Sequence, residues 1–288
     1  MKLYRTTKGI LVHDVADWFF LQEPWDLCLN RPDLRSHLTA AKKQSGLLAA
    51  EDATEILNGQ LLPPIGQQEV WAAGVTYLRS KTARMEESQV SGGADFYDKV
   101  YQAERPELFF KAIAQRVSGH GQEVYIRRDS AWNVPEPELT LFLNDRGRIV
   151  GYSIGNDMSS RSIEGENPLY LPQAKMYERS AALGPCLLVP AQPLPPDTRI
   201  EMNIWRGNEQ QYSDSVAISQ MKREHGELAE YLFRECDFPM GCFLMTGTCL
   251  VPPPDFSLQP GDRVDIRIAP IGVLSNVVAK KPDRKPKG

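Results

Sequence analysis

The chain is poor in the residues that build soft-metal sites and disulfide frameworks. Its five cysteines, Cys28, Cys186, Cys236, Cys242 and Cys249, are odd in number and scattered. None forms a CxxC pair, which argues against zinc and against a disulfide scaffold. They read as reduced thiols, mostly buried. Histidine is scarce as well. His13, His37, His120 and His225 are the only four, and no two stand at ligand spacing, so a His-rich metal site is excluded. No apolar run approaches the length that spans a bilayer, and Met1-Lys2-Leu3-Tyr4-Arg5 does not open like a signal peptide. Positive charge is not in excess either. A formal net charge of −4 leaves no basic footprint for nucleic acid. The expectation is a cytoplasmic protein that engages neither membrane nor nucleic acid.

What is present is the composition of a soluble globular protein, 42% hydrophobic and 24% charged. A length of 288 residues allows one large domain, or one with a small appendage. Residues 1–65 read as a small leading domain. Lys2 to Val15 is a hairpin signal about Thr7-Lys8-Gly9, and Leu38 to Leu57 has helical apolar spacing with Thr39 or Ser45 as caps. The proline-stiffened joint Leu61-Leu62-Pro63-Pro64-Ile65 sets the boundary. Residues 66–279 form the main domain. Its short alternating strands from Trp71 onward point to a β-rich α+β class. The charged stretch Leu78 to Ser88 reads as a helix, broken at Ser91-Gly92-Gly93, with a second short helix over Asp95 to Glu104. Gly165 to Pro172 reads as a loop, Met221 to Glu235 as a helix and Leu244 to Leu250 as a strand. Residues 280–288 are a basic, Pro-containing tail expected to be disordered.

The chemistry concentrates between Val134 and Asp157. Leu139–Leu143 and Ile149–Ile154 are β-prone runs flanking Asn144-Asp145-Arg146-Gly147, a turn signal. Glu136 and Glu138 are two apart, so an extended chain points both to one face. Asp157 lies about as far past the turn as they lie before it, close to opposite them in an antiparallel pair. Three carboxylates gathered without an intervening cation repel one another unless protons or a metal neutralise them. Oxygen-only ligands suit a hard divalent ion, Mg²⁺ first, with Mn²⁺ or Ca²⁺ as alternatives. Pro135 and Pro137 stiffen the backbone around both glutamates and remove two ladder donors, unusual for an ordinary strand. A metal site and a solvated strand edge both stay open on this pattern, because register is not fixed by sequence.

Further residues carry a resemblance. From Trp71 to Val278 the chain resembles the fumarylacetoacetate hydrolase family. The shared pieces come in order: Gly74 to Tyr77, Phe109-Phe110-Lys111, the Glu136-Pro137-Glu138-Leu139 segment, and Gly151-Tyr152 followed by Gly155-Asn156-Asp157-Met158-Ser159-Ser160-Arg161. Then come a lysine ahead of Leu183-Gly184-Pro185, Thr246-Gly247-Thr248, Pro260-Gly261-Asp262-Arg263-Val264 and Gly272-Val273-Leu274-Ser275-Asn276. The resemblance implies a mixed β-sandwich roll with the site in its open mouth. It implies Glu136, Glu138 and Asp157 as divalent-metal ligands, Lys175 beside the metal against the substrate, and Arg161 and Thr248 lining the site. It also implies a homo-oligomer, a homodimer or homotetramer.

Departures from the family pattern bear on the reaction. The C–C bond hydrolases of the family carry a water-activating His shortly after the early Tyr. Here Tyr77-Leu78-Arg79-Ser80-Lys81-Thr82-Ala83-Arg84 has none, and Thr82 stands near that place. Val75 stands where some members have a fourth acidic ligand. The stretch Ser159 to Lys175 is most similar to the family's sugar-acid branch, which dehydrates a 2-keto-3-deoxy aldonate such as 2-dehydro-3-deoxy-D-arabinonate to 2,5-dioxopentanoate. That implies an Mg²⁺-dependent hydro-lyase of pentose catabolism acting on a small 2-keto acid. Eliminating a C4 hydroxyl needs a proton donor and no activated water, so the missing His tells against hydrolysis and not against dehydration. Lys175 and Glu164 are the candidate catalytic residues. Tyr77, Arg79, Arg84, Arg161 and Thr248 are candidates for binding substrate. An acylpyruvate-type hydrolase or oxaloacetate decarboxylase, and a non-catalytic binding protein, are the alternatives.

Overall fold

Alternating apolar residues at the start of the chain fold as strands. The computed structural model describes residues 1–87 and 94–283. β1 (Lys2–Thr6), β2 (Gly9–Asp14) and β3 (Asp17–Leu21) form an antiparallel meander. Gly9 turns the first corner at φ +132, where a side chain is rarely tolerated. The expected hairpin therefore forms and gains a third strand. α1 (Trp25–Leu29), α2 (Leu34–Gln44), the short β4 (Leu47–Leu48) and α3 (Ala50–Gln60) follow. The helical spacing from Leu38 to Leu57 is thus split in two. Ser45, expected as an opening cap, has an extended backbone and closes α2 instead, and α2 begins after Asp33. Across the Leu61–Ile65 joint the sheet is continuous. β1 pairs with a strand of the larger part, and the Leu62 N–H donates to the Arg5 carbonyl at 2.8 Å.

β5 (Glu69–Gly74), α4 (Leu78–Glu87), α5 (Ala94–Gln102) and β6 (Glu107–Ile113) come next. The break expected at Ser91-Gly92-Gly93 lies outside the described residues. Three short strands, β7 (Val117–Ser118), β8 (Glu123–Ile126) and β9 (Asn133–Val134), lead to the central hairpin of β10 (Pro137–Leu143) and β11 (Ile149–Asp157). Its turn is held by Asn144, whose Oδ1 accepts from the Arg146 and Arg148 N–H groups at 3.1 Å each, with Gly147 at φ +68. β12 (Ser159–Ser160) precedes α6 (Arg161–Glu166) and α7 (Leu171–Lys175). The loop expected from Gly165 to Pro172 is therefore largely helical. Pro168 and Pro172 each open a helical turn, where a missing N–H leaves no bond unmade. The chain ends with β13 (Ala181–Leu188), β14 (Arg199–Arg206), β15 (Glu209–Ala217), α8 (His225–Phe233), β16 (Cys242–Met245), β17 (Arg263–Ile268) and β18 (Gly272–Lys280). The strand expected to reach Leu250 stops at Met245, because Gly247 takes φ +98 and turns the chain out of the ladder.

These strands make two main sheets. The larger has eleven strands in the order β4-β3-β2-β1-β13-β11-β10-β16-β5-β6, with β7 beside β13. The smaller runs β15-β14-β17-β18-β8. They pack face to face. Leu139, Leu141 and Ile154 of the first share one buried cluster with Met202, Ile204, Val264 and Ile266 of the second. On the outer face of the large sheet, Phe142, Leu187 and Phe243 lie under Trp25, Leu29, Leu34 and Leu38 of α1 and α2. β10 is buried on both faces, hence its unbroken apolar run. The class is α+β and strand-rich, with no closed barrel among the described residues. Lys280, placed in the tail by sequence, ends β18 and pairs with Ile126. Residues 284–288 of the expected disordered tail lie outside the described residues. No helix among the described residues is long and apolar enough to cross a membrane.

Because β1 is a central strand of the large sheet, its core residues should report on the whole chain. Leu3 is fully buried between α2 and β13 neighbours. Leu3→Ala is expected to lower global stability by about 2–5 kcal/mol. Urea unfolding followed by tryptophan fluorescence and by circular dichroism should give one coincident transition. A separate early transition of residues 1–65 would contradict the continuity of the sheet.

Candidate metal centre

The central hairpin fixes where the acids meet. Glu138 pairs with Gly155 and Pro137 with Asn156. One step further, the Asp157 N–H donates to the Glu136 carbonyl at 2.9 Å, so Asp157 stands across from Glu136. One carboxylate oxygen from each of Glu136, Glu138 and Asp157 lies within 4.8 Å of the other two. All three residues are buried. Glu138 is aimed by the loop after β16, where the Gly247 N–H donates to its Oε2 at 2.6 Å. Only glycine fits there: φ is +98, and an added Cβ would fall 2.0 Å from Thr76 Oγ1.

Four cations surround the acids, each from a different element. Lys175, at the end of α7, donates to Glu136 Oε2 and to Asp157 Oδ2, the latter at 3.2 Å. Arg161, opening α6, places Nη2 2.6 Å from Glu136 Oε1. Arg84, from α4, lies 3.6 Å from the same oxygen and pairs with Glu164. Lys111, from β6, sits 2.5 Å from Asp157 Oδ1. It also donates to the Met158 and Lys175 carbonyls, at 3.0 and 2.5 Å. A further acid, Glu107 of β6, rests its carboxyl against Gly74, where a Cβ would come within 2.1 Å of Oε2.

Neighbouring charge drives two adjacent glutamates in opposite directions. Burial pushes the Glu136 carboxyl up, but Lys175, Arg161 and Arg84 outweigh it and hold the pKa at about 2. Burial also pushes Glu138 up, and there the Asp157 and Glu136 carboxylates add to it, leaving the pKa well above the usual range. Glu107 is raised too, by burial against the opposing pull of Arg84 and Lys175. Desolvation lowers Lys111, with Asp157 resisting.

The donor set fits a hard divalent cation. It is all oxygen and buried, with one carboxylate oxygen of each acid within 4.8 Å of the other two. Mg²⁺ suits such ligands, and Mn²⁺ or Ca²⁺ would also be accommodated. The free space among these side chains is only about 10 Å³, at the lower edge of the roughly 10–15 Å³ that one water needs. Ion pairs occupy the space. Val75, Ser80, Phe109 and Thr248 complete the wall. Val75 is a β-branched residue at φ +53, a backbone outlier at the rim of the site.

The sequence-derived candidates divide clearly. Glu136, Glu138, Asp157, Lys175, Arg84, Arg161 and Thr248 all line this cavity. Glu164 lies behind the arginines, accepting from Ser159 Oγ at 2.9 Å and from Arg161 at 3.3 Å, with Arg84 at its other oxygen. Tyr77 is fully buried without lining the cavity, and its hydroxyl accepts and donates no hydrogen bond. Burial, then Cys249 and Glu138, push its pKa up. Arg79 is a correction. It is exposed and donates to the Val251 carbonyl at 3.3 Å. Five positions from Arg84 on one helix, it points roughly 140° away around the axis. Thr82 is exposed and donates back to the Leu78 carbonyl at 3.2 Å, so it does not stand in for a histidine base.

Glu107 and Lys111 were not among those candidates. The available signal was period two: Glu107, Phe109 and Lys111 alternate along β6 and turn the same way, toward the acids. An apolar strand with a charge at each end reads as surface-anchored until its partner strand is known.

Comparisons with known proteins bear on this geometry. The model of the fumarylacetoacetate (FAA) hydrolase C-terminal family matches residues 70–279. The chain is 50% identical over 216 residues to a probable 2-keto-3-deoxyxylonate dehydratase of Haloferax volcanii, covering 75% of this chain and 73% of that protein. It is 38% identical over 254 residues to the 2-dehydro-3-deoxy-D-arabinonate dehydratase of Saccharolobus solfataricus, covering 88% and 84%. A solved structure of 2-keto-3-deoxy-D-arabinonate dehydratase complexed with magnesium and 2,5-dioxopentanoate aligns with a TM-score of 0.83 at 32% identity, over 98% of this chain and all of that one.

The raised acids set a pH dependence. With folded pKa values of Glu138 and Glu107 above 4.5, the folded state binds more protons than the unfolded state. Without a divalent ion, their contribution to stability should fall as pH rises from about 4.5 through the folded values. Glu136 acts oppositely, its contribution being lost as pH falls from 4.5 toward 2. Urea unfolding of the metal-free chain at stepped pH should show the first slope. Glu138→Gln should flatten it, as should saturating Mg²⁺. An unchanged slope in Glu138→Gln would contradict the assignment.

Proposed function

The chain belongs to the fumarylacetoacetate hydrolase family, and on that footing we propose that it is a metal-dependent dehydratase of a 2-keto-3-deoxy sugar acid. A fitting substrate is 2-dehydro-3-deoxy-D-arabinonate, converted to 2,5-dioxopentanoate in pentose catabolism. The carrying observation is the buried triad of Glu136, Glu138 and Asp157, ringed by lysine and arginine with no histidine base beside it. The names of the two dehydratase relatives and of the magnesium-bound structure support the same choice.

Glu136, Glu138 and Asp157 would hold the ion, Mg²⁺ by preference. When bound, it supplies Lewis acidity to a chelating 2-keto acid and so eases loss of a C3 proton. The remaining work falls to this chain. Arg84 and Arg161 offer guanidinium groups to the substrate carboxylate. Lys175, now engaged by Glu136 and Asp157, can turn its ammonium to the oxygen on which negative charge develops. Burial raises the pKa of Glu107, which suits its carboxylate to take the C3 proton and hand it to the departing C4 hydroxyl, released as water. Tautomerisation of the resulting C3–C4 alkene, with the C5 hydroxymethyl group giving up its hydrogens to C3 and C4, yields the dioxo acid. Glu164, proposed from sequence as a second acid/base, is better suited to holding both arginines in place, given its three partners. Thr248 borders the substrate space. Under this assignment residues 66–279 carry the chemistry and residues 1–65 extend its sheet. A cytoplasmic homodimer or homotetramer is part of the proposal, and sedimentation equilibrium tests the assembly.

The decisive assay is Mg²⁺-supplemented turnover of 2-keto-3-deoxy pentonates, hexonates and acylpyruvates, with product mass read directly. We expect loss of 18 mass units from a pentonate, by the elimination of one water. Cleavage into two carboxylate-bearing fragments would indicate a hydrolase instead. Glu138→Ala and chelation should each abolish turnover. Glu107→Gln should lower kcat by about 10²–10⁴ with little change in KM.

A further inference from the structure

The fold assembles a second set of metal-binding side chains apart from the carboxylate triad. Glu23 follows β3, Cys28 lies in α1 and His37 in α2, and one ligand atom from each falls within 4.8 Å of the other two. His37 Nε2 is 2.5 Å from Glu23 Oε1, and the sulfur of the fully buried Cys28 lies within 4.8 Å of both side chains. Arg31 holds the second carboxylate oxygen at 3.2 Å. Sequence alone hides this trio, because its members are spaced five and nine apart on three separate elements.

We propose that Glu23, Cys28 and His37 bind a zinc ion, with water in the fourth position. Tetrahedral bonds of about 2.0–2.3 Å separate neighbouring donors by roughly 3.3–3.7 Å. The separations present, from 2.5 Å to within 4.8 Å, bracket that range and need only small side-chain shifts. A thiolate, an imidazole and a carboxylate select zinc over the magnesium of the oxygen-only centre. His37 and Glu23 retain 25% and 21% side-chain exposure, which leaves the fourth position reachable from solvent. Arg31 keeps the carboxylate oriented from outside. Binding exchanges the thiol proton for the metal: the S–H bond is lost, the S–Zn bond forms, and one proton leaves per ion with no change in oxidation state. The ion would tie the end of β3 to the two helices covering the outer face of the large sheet.

The test is Co²⁺ titration of the metal-stripped full chain. Thiolate ligation gives a near-ultraviolet charge-transfer band that an oxygen-only site does not give. One equivalent of band-forming Co²⁺ is expected, displaced by Zn²⁺ and undisturbed by Glu138→Gln. Cys28→Ser should abolish the band, and His37→Ala should weaken binding by roughly tenfold or more. If the buried Cys28 position tolerates no change, the partly exposed His37→Ala and Glu23→Gln variants decide. Absence of the band, or a band that survives these substitutions, would show the trio to be a hydrogen-bonded cluster only.

Discussion

Glu136 meets Lys175, Arg161 and Arg84, while Glu138, two residues on, faces Asp157, Glu136 and a backbone N–H. Five acids (Glu107, Glu136, Glu138, Asp157 and Glu164) thus share a small space with four cations (Arg84, Lys111, Arg161 and Lys175). Desolvating such groups is costly, and a pair breaks even only with close geometry and satisfied remaining bonds. With every group charged the centre carries one net negative charge; a proton on Glu138 cancels it in the metal-free state, and a divalent ion together with a substrate carboxylate cancels it in the loaded state. The same side chain therefore answers for stability in one state and for metal binding in the other.

The architecture is what makes so much buried charge tolerable. The hairpin of β10 and β11 lies deep in the large sheet, with β16 and β13 on either side and the small sheet against its inner face. The acids sit at the end of that hairpin, where the ladder stops and helical turns begin. Each cation is delivered from a different direction: α4, α6, α7 and β6. The local rules bend there. Val75 takes a left-handed backbone and Gly247 leaves its strand to give Glu138 an N–H. Such departures from local preference gather where function outranks stability.

The hairpin and its three acids were legible because alternation, turn chemistry and a two-residue spacing all fall within one short stretch. Lys175 and Arg161 came from the ordered motifs of the family. Glu107 and Lys111 escaped because β6 reaches the site only through β5 and β16, a pairing with no local signature. Arg79 and Arg84 looked alike until helical phase separated them. The Gly165–Pro172 stretch hid its helices behind prolines that sit where helices begin. Composition was a fair guide to what is scarce, though not to what the fold brings together: Glu23, Cys28 and His37 share no motif.

Lys111 and Lys175 are both fully buried, an uncommon state for lysine. One lies against Asp157 and two carbonyls, the other between Glu136 and Asp157. An amine-reactive reagent can reach neither unless the centre breathes. Their modification, read by peptide mapping, would therefore act as an internal clock for how often this closed chamber admits a visitor.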